Sequence, residues 1–480
     1  MASLKKNATY NAAYRILRLI FPIITFPYVS RILGPTGIGQ VTFANAIARY
    51  FATVSLLGIP IYGTREISKS RAIPGETEKV FSALLIISTF LSWLALGVYL
   101  LLPLFAPFLA PDPRLFWVFA TIILVNPGHM DWYFQGLENY RYVTIRKFVV
   151  KIAGLFLTFV LIRSPEHYVR YGGIWAMTVI LASLVNIYSS LRETRFRFRE
   201  IGLRHHLLAI LPSAALSFST KLYASIDTMM LGAMISDDRY SVGLYSAAGK
   251  TVRIALSLIV AVGAVAAPRV ALKHAAGDED SARRVISRSL EFSVFFSIPM
   301  VIGLFILAPD IIRIFAGKEF VPAVQTLKIL APEIVIMSLS TVMSTQILYS
   351  RGKEKLVLMT SIIGLMSAVI FNYLLIPQFH HNGAAVATII TQSVLFTIFL
   401  ILSWRYVRPA LFSKTMVLML LVNIGLVAVV LAVSEILQLA MPVVRVTLIT
   451  GASVLYYMVA SLLLRITPAQ NMLKWILKGR

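Results

Sequence analysis

The stretch "GIGQVTFANAIARYFATVSLLGIPIY" (residues 37–62) holds one charged side chain, Arg49, twelve residues from Gly37 and thirteen from Tyr62. A helix of roughly 20 apolar residues crosses a bilayer, so the stretch reads as a membrane span with an arginine at mid-depth. Its core, "GQVTFANAIAR" (39–49), returns as "GLYSAAGKTVR" (243–253). That offset of 204 sets Arg49 over Arg253 and Arg65 over Arg269. One such span points to a membrane protein, and its return points to a chain built from two halves.

Composition agrees with the membrane reading. Of the 480 residues, 58% are hydrophobic and only 14% are charged, where a soluble chain carries about 25% charged residues. Apolar runs recur at 10–33, 37–62, 80–103, 114–136, 142–162, 172–190, 207–235, 241–267, 288–308, 322–349, 356–376, 382–404, 414–434 and 442–464. The expectation is therefore an all-α polytopic membrane protein with about fourteen transmembrane helices. No basic segment and small-residue cleavage site frame the first run, so it is expected to stay in place. The chain has no cysteine, which excludes disulfides and thiolate metal sites. The loops are too short to hold a soluble catalytic domain.

Further matches extend the repeat in the same order. "QGLENYR" (135–141) sits beside "SRGKEKL" (350–356) shifted by one, which sets Glu138 over Glu354, and "GGIWAMTVI" (172–180) beside "NGAAVATII" (382–390) with Gly173 over Gly383. Spans 1–6 then correspond to spans 7–12. Six is even, so both halves enter the membrane in the same sense. Such repeats form two six-helix lobes related by a pseudo-twofold along the membrane normal, with the substrate path between them. The expected divisions are 1–200, 201–410 and an addition at 411–480 that carries spans 13 and 14.

A net charge of +24 is explained by topology. When span ends are counted with the loops they adjoin, 29 Lys and Arg fall on the side of the N-terminus and 8 on the other. Cytoplasmic loops carry that excess, which places both termini in the cytoplasm and leaves no call for nucleic acid.

Eight cations fall within spans: Arg15, Arg18, Arg49, Lys151, Lys221, Lys250, Arg253 and Lys328. Arg49 and Arg253 are central, Lys250 lies one turn from Arg253, and Lys221 is in the middle of span 7. Ionisable residues at such depth face a water-filled cavity or a partner. Arg15 and Arg18 lie in the cytoplasmic third of span 1. With Asn11 and Tyr14 they follow an i, i+3, i+4, i+7 stripe. They are either headgroup anchors, as long side chains near an interface can be, or a first contact for a ligand. Lys151 and Lys328 read as near-interface residues.

The acids within spans are fewer. Asp131, in "NPGHMDWYFQG" (126–136), and Asp227, in "TKLYASIDTMM" (220–230), are candidates for a coupling-ion site or an internal ion pair. Asp227 has Lys221 and Arg253 as prospective partners. Pro127 and Gly128 suggest a break that frees backbone groups. His129 reads better as a packed or interfacial residue than as a proton relay. The excess of cations predicts an anionic ligand, and arginine's fork suits a diphosphate in a site that excludes water. The sequence has no GxxxxGK[ST] phosphate loop and no HExxH. No enzyme activity, cofactor, metal or ATP-driven pumping is expected.

"RILGPTGIGQVTFANAIARYFATVSLLGIPIYGTREIS" (31–68) resembles the first helical hairpin of bacterial polysaccharide flippases. These are the O-antigen and exopolysaccharide repeat-unit exporters of the multidrug/oligosaccharidyl-lipid/polysaccharide superfamily. "DWYFQGLENYRYVTIRK" (131–147) resembles the family's junction of spans 4 and 5, and "GLYSAAGKT" (243–251) and "NGAAVAT" (382–388) resemble its second half. The resemblance implies a central cavity that opens alternately to the two faces of the bacterial inner membrane. Its cargo would be an oligosaccharide repeat unit linked through diphosphate to a polyprenol, moved among membrane lipids. The driving force would be a coupling cation (H+ or Na+) or the membrane potential, with polysaccharide polymerase machinery alongside. Of the candidate cations, the hairpin motif contains Arg49 but neither Arg15 nor Arg18. Two alternatives stand beside this one. A drug or cation antiporter of the same superfamily would need acidic cavity residues. A polytopic glycosyltransferase or ligase would need a larger, acid-bearing external loop.

Overall fold

The computed structural model describes the chain except residues 1–3, 57, 74, 198–200, 236–238, 264–265 and 478–480. Side chains are described except also at 4–19, 212–213, 215–224, 260–263 and 474–477. Among the described residues all regular structure is helical. The chain divides into two compact units, Met1–Gly243 and Leu244–Arg480.

The first unit holds α1 (Leu4–Leu56), α2 (Ile59–Ser70), α3 (Glu76–Leu100), α4 (Pro113–Leu124), α5 (Asp131–Gly136), α6 (Tyr140–Leu161), α7 (Tyr168–Glu193), α8 (Leu203–Met234) and the start of α9 (Arg239–Gly263). α1 is broken at Gly34, whose φ of 63° a side chain would disfavour. Pro35 then opens the second arm, where its fixed φ suits a helix start and its missing N–H is not needed. α1 packs against α3, α4, α6, α7 and α8 and so forms the centre of this unit. Where α2, α3 and α5 meet, Ile59, Ile67, Phe81, Leu84, Trp132 and Phe134 form a buried apolar cluster. Gly39 of α1 and Gly243 of α9 bring the two backbones into contact.

The break at Pro127 is a 3-10 turn, Asn126–Gly128, between α4 and α5. A side chain meets the Gly128 carbonyl that the turn frees, as burial requires, and Asn126 ties the turn to α1. Asn186 Nδ2 donates to the Gly128 carbonyl at 3.0 Å, and Asn126 Nδ2 donates to Ala52 O at 2.7 Å and Ser55 Oγ at 2.6 Å.

The second unit holds the rest of α9, then α10 (Ala266–Ala275), α11 (Glu279–Ile306), α12 (Ala308–Phe315), α13 (Ala323–Leu330), α14 (Glu333–Thr341), α15 (Glu354–Leu411), α16 (Lys414–Ile436), α17 (Pro442–Leu463) and α18 (Thr467–Leu477). α11 is its centre and packs against α14, α15 and α16. α14 runs on into a wide π-type turn, Val342–Leu348. α15 is broken at His380, where φ is 51°. Tyr245 Oη lies 2.9 Å from Thr388 Oγ1 and ties α9 to α15.

Among the described residues, eight helical stretches are long and apolar enough to cross a membrane, against about fourteen expected. α1 and α15 each cover two expected spans on either side of Gly34 and His380. The expected fourth span is split by the Asn126–Gly128 turn, and α6 carries Arg146, Lys147 and Lys151. The units divide at 243 because α8 packs on α1, α2 and α3, and residues 411–480 lie within the second unit.

Candidate functional site

The cations at mid-helix are the natural starting point. Arg49, on the second arm of α1, is exposed, as is Arg253 on α9, while Lys250 is half-buried. Arg49 belongs to the first unit, and Lys250 and Arg253 to the second. The guanidinium of Arg253 folds back over Gly249, where a Cβ would stand 3.2 Å from its Nη1. Helical side chains lean toward the preceding turn, and glycine there leaves this one room. An exposed charge within a membrane span faces water, a protein partner or a ligand. The side chains of Asn11, Tyr14, Arg15, Arg18 and Lys221 lie outside the described residues; the first four positions are on α1 and Lys221 is on α8.

Asp131 sits in the first turn of α5 and is buried. Arg146 Nη2 donates to its Oδ1, and Lys147 Nζ lies 2.6 Å from its Oδ2. Arg146 is itself buried, with its guanidinium 5.7 Å from the Tyr142 ring. Both carboxylate oxygens of Asp131 therefore face a cation from α6. These partners are not visible in the sequence, because Arg146 and Lys147 count there as loop charges at a span end. A buried acid fifteen residues before them needed a counter-charge, and that was the available clue. Asp227 is buried on α8, and His129, just past the Asn126–Gly128 turn, is exposed.

Arg239 corrects one expectation. Counted among the outer loop charges, it is buried instead. Its guanidinium lies 4.0 Å over the Phe43 ring, and its Nη1 donates to the Gly232 carbonyl. Gly232 makes this fit, since a Cβ there would approach Phe43 Cδ2 to 2.1 Å. Beside it is a cavity of about 210 Å³ lined by Gln40, Phe43, Asp112 and Arg239. Asp112 caps α4 by accepting from the Arg114 amide at 2.9 Å, and it accepts from Tyr168 Oη at 2.6 Å. Lys151 and Lys328 lie near aromatic rings, 5.5 Å from Phe21 and 5.4 Å from Phe305. Among the described residues no three His, Asp or Glu side chains gather in a metal-holding set.

Repeated helices long and apolar enough to cross a membrane mark a multi-pass membrane protein. The chain belongs to the polysaccharide biosynthesis protein family, whose model matches residues 4–273. A second family model, MatE, matches residues 212–374. A Shigella dysenteriae protein named O-antigen transporter is 27% identical over 416 residues, 83% of this chain and 99% of its own length. The fold is shared with the lipid II flippase MurJ in an inward closed conformation, with a TM-score of 0.73, 15% identity and coverage of 96% of this chain and 98% of that one. It is also shared with an inward-facing MATE family transporter, with a TM-score of 0.65, 14% identity and coverage of 85% and 99%.

Proposed function

We propose that this chain is a flippase that carries a polyprenyl-diphosphate-linked oligosaccharide repeat unit across the bacterial inner membrane by alternating access. Membership of the polysaccharide biosynthesis family and the Shigella relative named for O-antigen transport support the cargo class. One observation carries the reading: Arg49 and Arg253, equivalent in the repeat, are both exposed on long helices, Arg253 at mid-helix and Arg49 seven residues before α1 ends at Leu56. In this reading they contact the diphosphate, with Lys250 and Lys221 adding charge and Asn11, Tyr14, Arg15 and Arg18 forming a first landing point on the cytoplasmic side. Guanidinium groups bind phosphate oxygens in pairs, which suits a head that must be held and then released. Both termini are cytoplasmic. Asp131 serves as a structural ion pair, which leaves Asp227 as the acid for a coupling H+ or Na+. The chain transports and does not catalyse, and a polysaccharide polymerase would use what it delivers.

The test is complementation in a strain lacking its own copy. Arg49→Ala and Arg253→Ala should each abolish surface polysaccharide, with lipid-linked units accumulating on the cytoplasmic face and the protein still in the membrane. Normal polymer from both variants would reject the reading. The MatE match over 212–374 favours a second reading, a drug or cation antiporter. Raised drug resistance on overexpression would support it, although exposed cations at mid-helix repel such cargo.

A further inference from the structure

Along α11, Asp280, Arg284, Arg288 and Phe292 recur at every fourth residue. They share one helix face, each about 6 Å along the axis from the next. From the membrane outward the order is an aromatic ring, two guanidinium groups and a carboxylate. This end of α11 lies on the side that the Lys and Arg bias marks as cytoplasmic.

Two adjoining clefts of the second unit follow the stripe, bounded by α11, the end of α15 and the start of α18. The deeper, of about 540 Å³, is lined by Phe292, Pro468 and Met472. The outer, of about 490 Å³, is lined by Asp280, Arg283, Arg284 and Tyr406. Arg288, Glu291 and Thr467 line both, which makes the clefts continuous. Asp280, Arg284 and Arg288 are exposed.

The charges in this cleft are not locked in contact pairs, although Arg288 and Glu291, one turn apart, attract one another. Among the described residues, Asp280, Arg283, Arg284, Arg288 and Glu291 make no ion pair. Arg284 donates to Ser281 Oγ at 2.7 Å, and Arg283 lies 5.7 Å from the Tyr406 ring. Their neighbours do pair, as Arg351 does with Glu279 at 2.6 Å.

We propose that this cleft holds one bilayer phospholipid with an ethanolamine head group. Its phosphodiester lies between Arg284 and Arg288, its ammonium meets Asp280, and its upper acyl chain runs past Phe292 and Met472. An anionic phospholipid would bring its phosphodiester to the same arginines but no ammonium to Asp280. A polyprenyl diphosphate would bring more negative charge against the carboxylates of Asp280 and Glu291. Inorganic phosphate would leave the apolar cleft unfilled. The proposal does not depend on the transported cargo.

Native mass spectrometry of the delipidated full-length protein tests it, with phosphatidylethanolamine, phosphatidylglycerol and inorganic phosphate as probes. The wild type should retain one phosphatidylethanolamine and prefer it to phosphatidylglycerol about tenfold, a single charge-assisted contact. Arg284→Gln with Arg288→Gln should lower retention of both lipids about tenfold. Asp280→Asn, at an exposed site where folding is not at stake, should erase the preference while binding persists. Equal retention of the two lipids by the wild type, unchanged retention by the double variant, or displacement of the lipid by phosphate would each overturn the proposal.

Discussion

Gly39 and Gly243 make the same contact in exchange. A Cβ on Gly39 would stand 1.8 Å from the carbonyl oxygen of Arg239, and one on Gly243 would stand 1.9 Å from that of Pro35. Each glycine thus lies under the carbonyl four residues before the other. The two pairs are related by the offset of 204 that the sequence repeat defines. The repeat is a spatial twofold at this point.

Gly39→Ala and Gly243→Ala should therefore be costly. The obstacle is backbone, which cannot rotate away, so each substitution should destabilise by about 1–3 kcal/mol or more. Gly451→Ala in α17 is the control, because nothing lies within 4 Å of a Cβ there. It should be neutral or stabilising by about 1 kcal/mol, from helix propensity. Thermal unfolding in detergent separates the cases, and equal midpoints would contradict the contact.

Arg49→Lys discriminates between charge and fork. If the ligand is a diphosphate, lysine keeps the charge and loses bidentate geometry, so transport should fall by about tenfold or more while alanine abolishes it. Polymer yield at matched protein level measures the difference. A lysine variant as active as wild type would reduce Arg49 to a point charge.

Asp131→Asn should act on the fold. It leaves Arg146 and Lys147 beside each other in a buried place with no carboxylate between them. Breaking such a site from one side costs about 3–5 kcal/mol. Membrane-inserted protein should fall sharply, and Arg146→Met in the same chain should restore part of it. A stable Asp131→Asn protein that fails only in transport would instead mark an ion-coupling acid.

His206 predicts a pH dependence in the first unit. Its Nδ1 lies 2.9 Å from Tyr62 Oη, and burial, followed by the charge of His205, holds its pKa below the usual 6.5. The unfolded chain then binds the extra proton more readily, so stability is full above that value and declines as pH falls below it. His206→Gln should flatten the decline in unfolding midpoint between about pH 7 and pH 5. An unchanged slope would show that His206 is not its source.

Helices and repeat were legible in the sequence because both rest on long-range patterns, apolar runs and the order of matches such as Arg49 over Arg253. Arg239 was not, since a cation near a predicted loop looks solvated until its neighbours are known, here Phe43 and Gly232. Asp131 was visible as a buried acid in need of a partner. Its partners were not, because the turn at Asn126–Gly128 and the start of α6 decide which cations face it. The division at 243 depends on how α8 packs, and no periodicity encodes that.

The wide turn at Val342–Leu348 has a counterpart. By the spacing that sets Glu138 over Glu354, it stands where residues 126–132 stand in the first half, the segment that opens with the Asn126–Gly128 turn. One copy is wound too tightly at this level and the other too loosely. Their residues, "NPGHMDW" and "VMSTQIL", have almost nothing in common. What the two halves share at this level is a departure from regular helical winding, written in letters that do not match.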